Sequence, residues 1–213
     1  MKRDTLIEIV GREPLFTTGM LLAPGTDPQD VKKQLSRWTR DGSVVQLRRG
    51  LYALGARYRM TDPHPFEVSN ALVAGSYVSL ETVLADLGLI PEAVFSTTAV
   101  TTGRQGLRET PFGAFVYQHI RPDLFWGYEP RTLTGGRTAF VATPEKALLD
   151  MAYLRTRSDD PAFAPGLRLQ RLETLDLDRL TSFAERFGSR KVERFASKVV
   201  ELAASERQEY EGG

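Results

Sequence analysis

The stretch from Thr26 to Leu54, TDPQDVKKQLSRWTRDGSVVQLRRGLYAL, leaves little freedom in how it can fold. Asp27 is placed to cap a helix, Pro28 fits the first helical position, and Asp30 lies in the first turn beside the positive end of the helix dipole. Val31, Leu35 and Trp38 follow at i, i+4 and i+7, a single stripe for burial. Gln29, Lys33, Ser36 and Arg40 recur on a line roughly 180° from that stripe. The outward face is therefore expected to carry donors and positive charge and no carboxylate. Asp41-Gly42 ends the helix. Val44–Leu47 and Leu51–Leu54 read as two short strands joined by the turn Arg48-Arg49-Gly50, where glycine permits a tight reversal. A basic helix followed at once by a hairpin with two arginines at its tip is the pattern of a winged helix-turn-helix. In that arrangement the helix suits the major groove and the hairpin tip suits the backbone or the minor groove. The plain alternative is an amphipathic helix with a solvated basic face. The wing, whose tip has no acidic neighbour in sequence, favours nucleic acid.

Charge agrees with that placement. The formal net charge of +1 over 213 residues hides an asymmetry: residues 1–60 hold 11 Lys+Arg against 6 Asp+Glu, a balance of +5, and residues 61–213 hold 17 against 21, a balance of −4. A polyanion is expected to meet the N-terminal part, leaving the mildly acidic remainder for another task. There is no cysteine, which excludes disulfides and cysteine-ligated zinc and fits a reducing compartment. Acidic residues interrupt the start of the chain, and no apolar run reaches the length of a membrane span, so a cytoplasmic protein without a membrane partner is expected.

The chain reads as α+β in two domains. Residues 1–60 form the winged helix: a helix from Lys2 to Val10, a second short helix within Leu15–Leu22, the basic helix and the hairpin. A unit this small buries little surface and is expected to lean on the rest of the chain. Arg57–Pro65 is the connector. Residues 61–208 form a mixed domain, with helices at Phe66–Ala74 and at Leu80–Leu87, the latter capped by Ser79. Strands at Phe95–Thr102, Gly113–Ile120, Phe125–Tyr128 and Thr138–Ala142 suggest a small antiparallel sheet. Helices follow from Thr143 to Leu154, Asp178 to Phe187 and Lys191 to Ser205. Residues 209–213 read as a flexible tail.

Signals for chemistry are weak. His64 and His119 are the only histidines, and neither has a partner at ligand spacing, so no metal site and no cofactor is expected. Gly103-Arg104-Gln105-Gly106 lacks the lysine of a phosphate loop and reads as a hairpin turn. Glu145, Lys146 and Asp150 form one compact charged set. A nuclease or nucleotidyltransferase would use the two carboxylates for a metal and the lysine for a phosphate. The structural alternative places Glu145 against the helix dipole and pairs Lys146 with Asp150 at i, i+4, and it is preferred because no further carboxylates accompany them. No catalytic residue is assigned.

The segment RWTRDGSVVQLRRGLYAL resembles the winged helix of AbiEi-type antitoxins, transcriptional regulators of abortive-infection (viral defence) systems. VSLETVLADLGLIPE from Val78, TTAVTTGR from Thr97, TPFGAFVYQHI from Thr110 and VATPEKALLDMAYL from Val141 are similar to that family in the same order. The resemblance implies an N-terminal domain that binds inverted repeats in the promoter of its own operon, a C-terminal domain needed for antitoxicity and full repression, and a nucleotidyltransferase toxin as functional partner. It assigns DNA contact to the outward side chains of the Pro28–Arg40 helix and to the wing: Gln29, Lys32, Lys33, Ser36, Arg37, Arg40, Arg48 and Arg49. It assigns no catalytic role to PEKALLD.

The expected function is therefore sequence-specific binding of double-stranded DNA, with autoregulation of a toxin–antitoxin operon. An enzyme acting on nucleic acid or on a toxin through Glu145, Lys146 and Asp150 is the alternative. A protein-binding antitoxin with a vestigial winged helix is a third reading, and it leaves Lys33, Arg40, Arg48 and Arg49, all without partners in sequence, unexplained.

Overall fold

The computed structural model describes residues 2–11 and 13–211. Its N-terminal unit runs α1 (Arg3–Val10), β1 (Phe16–Thr17), a 3-10 turn (Thr18–Leu21), α2 (Pro28–Arg40), β2 (Val44–Arg48) and β3 (Leu51–Leu54). The second helix expected within Leu15–Leu22 is thus a two-residue strand and one tight turn. Phe16 and Thr17 pair instead with Tyr52 and Leu51, so that β1, β3 and β2 form a three-stranded antiparallel sheet in that order. Leu6, Val10, Phe16, Leu21, Val31, Leu35, Trp38, Val44, Tyr52 and Leu54 close one core beneath α2.

The remainder runs α3 (Pro65–Leu72), β4 (Ser76–Val78), α4 (Glu81–Asp86), β5 (Ser96–Thr101), β6 (Gly106–Thr110), β7 (Gly113–His119), β8 (Tyr128–Thr132), β9 (Thr138–Ala142), α5 (Pro144–Leu154), α6 (Phe163–Gly166), α7 (Leu177–Phe187) and α8 (Arg190–Glu211). The fold is α+β, with a sheet larger than expected and mixed in direction. Six strands lie in the order β6-β7-β5-β4-β9-β8, and the β5–β7 and β4–β9 pairs are parallel. Two strands were not expected from the sequence: β4, three residues buried on both faces and so without alternation, and β6, which pairs with β7 and not with β5, so that Gly103–Gly106 is a connection and not the hairpin turn expected there. The last helix continues to Glu211, beyond the expected end at Ser205. Of the tail expected at 209–213, Gly212 and Gly213 lie outside the described residues.

Local chemistry explains most helix starts. Asp27 accepts from the Gln29 N–H, His64 Nδ1 from Phe66, Thr143 from Lys146 and Asp176 from Arg179. The expectation for Ser79 fails. Leu80 occupies the cap position at φ 61°, and the Ser79 hydroxyl donates to Asp150 at 2.8 Å instead.

The two units share a seam. Leu51 of β3 is buried with Val68 and Leu72 of α3, Ala99 of β5, and Phe115 and Tyr117 of β7, with Leu15 and Leu47 at the margin. Both faces of β3 are therefore covered: Tyr52 and Leu54 face the core under α2, and Leu51 faces the seam.

Candidate nucleic-acid interface

The candidate interface is built on α2. Val31, Leu35 and Trp38 are 3%, 1% and 4% exposed, which anchors one side of the helix in the core. The opposite side carries Gln29, Lys32, Lys33, Ser36, Arg37 and Arg40, all exposed. The expectation that this face holds no carboxylate is corrected by Asp30, whose carboxylate lies 3.6 Å from Lys33 Nζ with both side chains about three-quarters exposed. A pair so open to water holds its lysine weakly, and a phosphate can displace the aspartate. Arg40 donates to Ser36 Oγ at 3.5 Å, one turn back on the same face. Asp41 receives the Ser43 N–H at 2.9 Å just past the helix, and its bonds to Ser43 hold the carboxyl below the usual carboxylate range.

The wing follows at once. β2 and β3 are antiparallel with Arg48 opposite Leu51, and Gly50 takes φ +81°, the left-handed conformation that the tight turn requires. Arg48 and Arg49 are both exposed at this tip. Arg49 extends from the turn. Arg48 folds back: its guanidinium donates to the Ala71 carbonyl of α3 and to the Arg49 carbonyl. The eight candidate residues thus lie on two adjacent elements and are all exposed; Lys33 and Arg40 have partners on α2 itself, and Arg48 alone among them bonds to an element outside the winged helix. Thr18, which sequence reading passed over, sits beside the tip: its N–H donates to the Gly50 carbonyl at 3.1 Å. The pairing of β1 with β3 that brings it there has no signal stronger than Phe-Thr.

The set Glu145, Lys146 and Asp150 is not brought together. Glu145 turns towards α7, where its carboxylate accepts the Asp176 N–H at 3.1 Å and lies 3.7 Å from Arg179. Lys146 and Asp150 form an ion pair on the other side of α5, and both are fully buried. Tyr77 accepts from Lys146 Nζ at 2.9 Å and donates to Asp150 at 2.9 Å, and Ser79 donates to the same carboxylate oxygen. The ammonium also faces the rings of Phe187 and Trp126 at 4.7 and 5.0 Å. Burial pushes the Asp150 carboxyl up and the Lys146 ammonium down, and each opposite charge works against that push. Every polar atom of the pair is spoken for by protein and none faces solvent, which is the arrangement of a core clamp. Among the described residues, no three His, Cys, Asp or Glu side chains are grouped to hold a metal ion.

The N-terminal geometry coincides with a family match. Residues 4–55 match the family model described as "Transcriptional regulator, AbiEi antitoxin". The matched span begins within α1 and ends one residue after β3, so it covers the AbiEi-like winged helix and none of the six-stranded domain. No curated protein matches the chain. Among solved structures, the RV2827C protein from Mycobacterium tuberculosis aligns over 95% of this chain and 79% of its own, at 16% identity and a TM-score of 0.46.

Proposed function

We propose that the chain is a sequence-specific double-stranded DNA-binding regulator, the autoregulating antitoxin of an AbiE-like toxin–antitoxin operon. The observation that carries this reading is the division of α2: a buried Val31–Leu35–Trp38 stripe on one side and six exposed polar or basic residues on the other, next to a basic wing tip. The coincidence of that geometry with the AbiEi match over residues 4–55 supports it. Gln29, Lys32, Lys33, Ser36, Arg37 and Arg40 face the major groove, and Arg49 at the wing reaches the phosphates or a narrow minor groove. The operator is an inverted repeat near the regulator's own promoter. Residues 61–208 serve as the antitoxin and regulatory domain towards a nucleotidyltransferase toxin. No described helix is long and apolar enough to cross a membrane, and the reading places the protein in the cytoplasm.

The test is affinity against salt for a duplex of the protein's own promoter and for a scrambled duplex. Affinity should fall steeply with salt on both. Arg40→Ala should cost about 1–3 kcal/mol on the promoter duplex and relax preference at one position. Promoter affinity unchanged in a variant with Lys33, Arg37 and Arg40 all replaced by alanine removes α2 from the interface and ends this reading.

A further inference from the structure

The two wing arginines have different surroundings. Arg48 Nε and Nη2 donate together to the Ala71 carbonyl at 3.1 and 3.0 Å, and Nη1 donates to the Arg49 carbonyl at 3.2 Å. Ala71 lies in the last turn of α3, where carbonyls have no intrahelical partner and the helix dipole is negative, a place that favours a cation. The same helix end is tied down elsewhere: the Ser69 carbonyl accepts from the Tyr117 hydroxyl at 2.7 Å, and the Ser76 hydroxyl donates to the Val73 carbonyl at 2.7 Å. Leu51, opposite Arg48 in the hairpin register, is buried against Val68 and Leu72 of this helix. All three guanidinium nitrogens of Arg48 are thus used within the protein: Nε and Nη2 on α3, outside the winged helix, and Nη1 within the wing. Arg49 is exposed, and its side chain has no hydrogen bond or ion pair among the described residues.

We propose that Arg48 is a positioning residue. Its guanidinium clamps the wing to the C-terminal end of α3, and the clamp presents Arg49, which alone of the two meets the phosphate. This rests on the DNA-binding reading above and specifies how the second domain takes part in it. The clamp needs arginine in particular. Two N–H groups from one rigid fork converge on a single carbonyl, which a lysine ammonium on a flexible stem does not reproduce. A phosphate, in contrast, accepts lysine as a point charge. The exchange to lysine therefore separates the two roles.

The experiment uses the full chain, the promoter duplex, the slope of log affinity against log salt, and the thermal midpoint without DNA. Arg48→Ala and Arg48→Lys should both weaken binding by about tenfold, with the salt slope unchanged and the midpoint lowered. Arg49→Ala should make the slope shallower by about one and leave the midpoint in place, and Arg49→Lys should restore the slope. A slope that becomes shallower in Arg48→Ala and recovers in Arg48→Lys makes Arg48 a phosphate contact and overturns the positioning role. Wild-type affinity in Arg48→Ala overturns it as well. Absence of salt-dependent binding by the unaltered chain overturns the DNA reading and the positioning role together, and is distinguishable because it requires no variant.

Discussion

Lys146 and Asp150 have no exposed side-chain area, and their partners Tyr77 and Ser79 stand 69–73 residues away in sequence. Removing one charge leaves the other buried and uncompensated, the costliest outcome for such a pair. Lys146→Met should destabilise the fold by about 3–5 kcal/mol. Adding Asp150→Asn should return part of the loss, because the amide keeps an acceptor for Tyr77 and Ser79 and carries no charge. The deficit of the single variant should also depend on pH. Burial raises the folded-state pKa of Asp150, and without Lys146 nothing cationic opposes the rise. A carboxyl whose pKa is raised in the folded state binds its proton more tightly there. The deficit should therefore shrink as pH falls towards the ordinary carboxylate range and grow as pH rises through the shifted value. Urea unfolding of the three proteins at two pH values measures this, and a Lys146→Met loss below about 1 kcal/mol rejects the clamp. The i, i+4 spacing of the pair could be read along one helix. Its burial could not, because burial is decided by Tyr77 and Ser79 arriving from β4.

Among elements, β6 is the open edge of the six-stranded sheet. The two-residue turn that pairs Thr110 with Gly113 sends the backbone groups of alternate residues, Leu107 and Glu109, away from β7. Leu107 is 53% exposed, and such an edge invites pairing with another chain. Arg108 blunts it by donating from Nη1 to the Leu107 carbonyl at 3.0 Å. The opposite edge, β8, carries Pro130, which has no N–H to offer. Arg108→Ala should uncover the carbonyl and produce concentration-dependent association, visible by sedimentation velocity. A variant that sediments as the wild type across a wide concentration range assigns the protection of this edge to something else. Elements with local punctuation were readable before the fold was known. Pro28 after Asp27, Pro144 after Thr143 and the alternating Thr138–Ala142 all lie within a residue of where composition and period put them. The parallel pairings of β5 with β7 and β4 with β9 were not readable, since parallel neighbours leave no hairpin turn in the sequence.

For the molecule as a whole, the seam around Leu51 decides how the halves behave. The small size of the N-terminal unit led to the expectation that it leans on its neighbour, and the seam names the residues concerned: Leu15, Leu47 and Leu51 on one side, Val68, Leu72, Ala99, Phe115 and Tyr117 on the other. A fragment ending at Arg59 loses that second set and leaves its three leucines to water, so it should unfold at a lower temperature than the whole chain. The whole chain should unfold in one transition by near-UV and far-UV signals alike. Two well-separated transitions, or a fragment as stable as the parent, contradict a shared core. The outward face of α2 was apparent from a helical wheel alone. The different fates of Arg48 and Arg49 were not, because α3 reaches the wing through a fold that brings Ala71 to a residue 23 positions earlier.

The double coverage of β3 also bears on portability. A winged helix with one exposed sheet face can be grafted onto a foreign effector like a detachable head. Here the strand behind the wing is a party wall between two rooms, and a graft that carries residues 4–55 alone exposes that wall. A working chimera must bring α3 and a surface equivalent to Phe115 and Tyr117, or replace Leu15, Leu47 and Leu51 with polar residues. By the same reasoning, random mutagenesis scored by loss of the DNA binding proposed for α2 should return substitutions at Val68, Leu72 and Phe115 alongside those in α2.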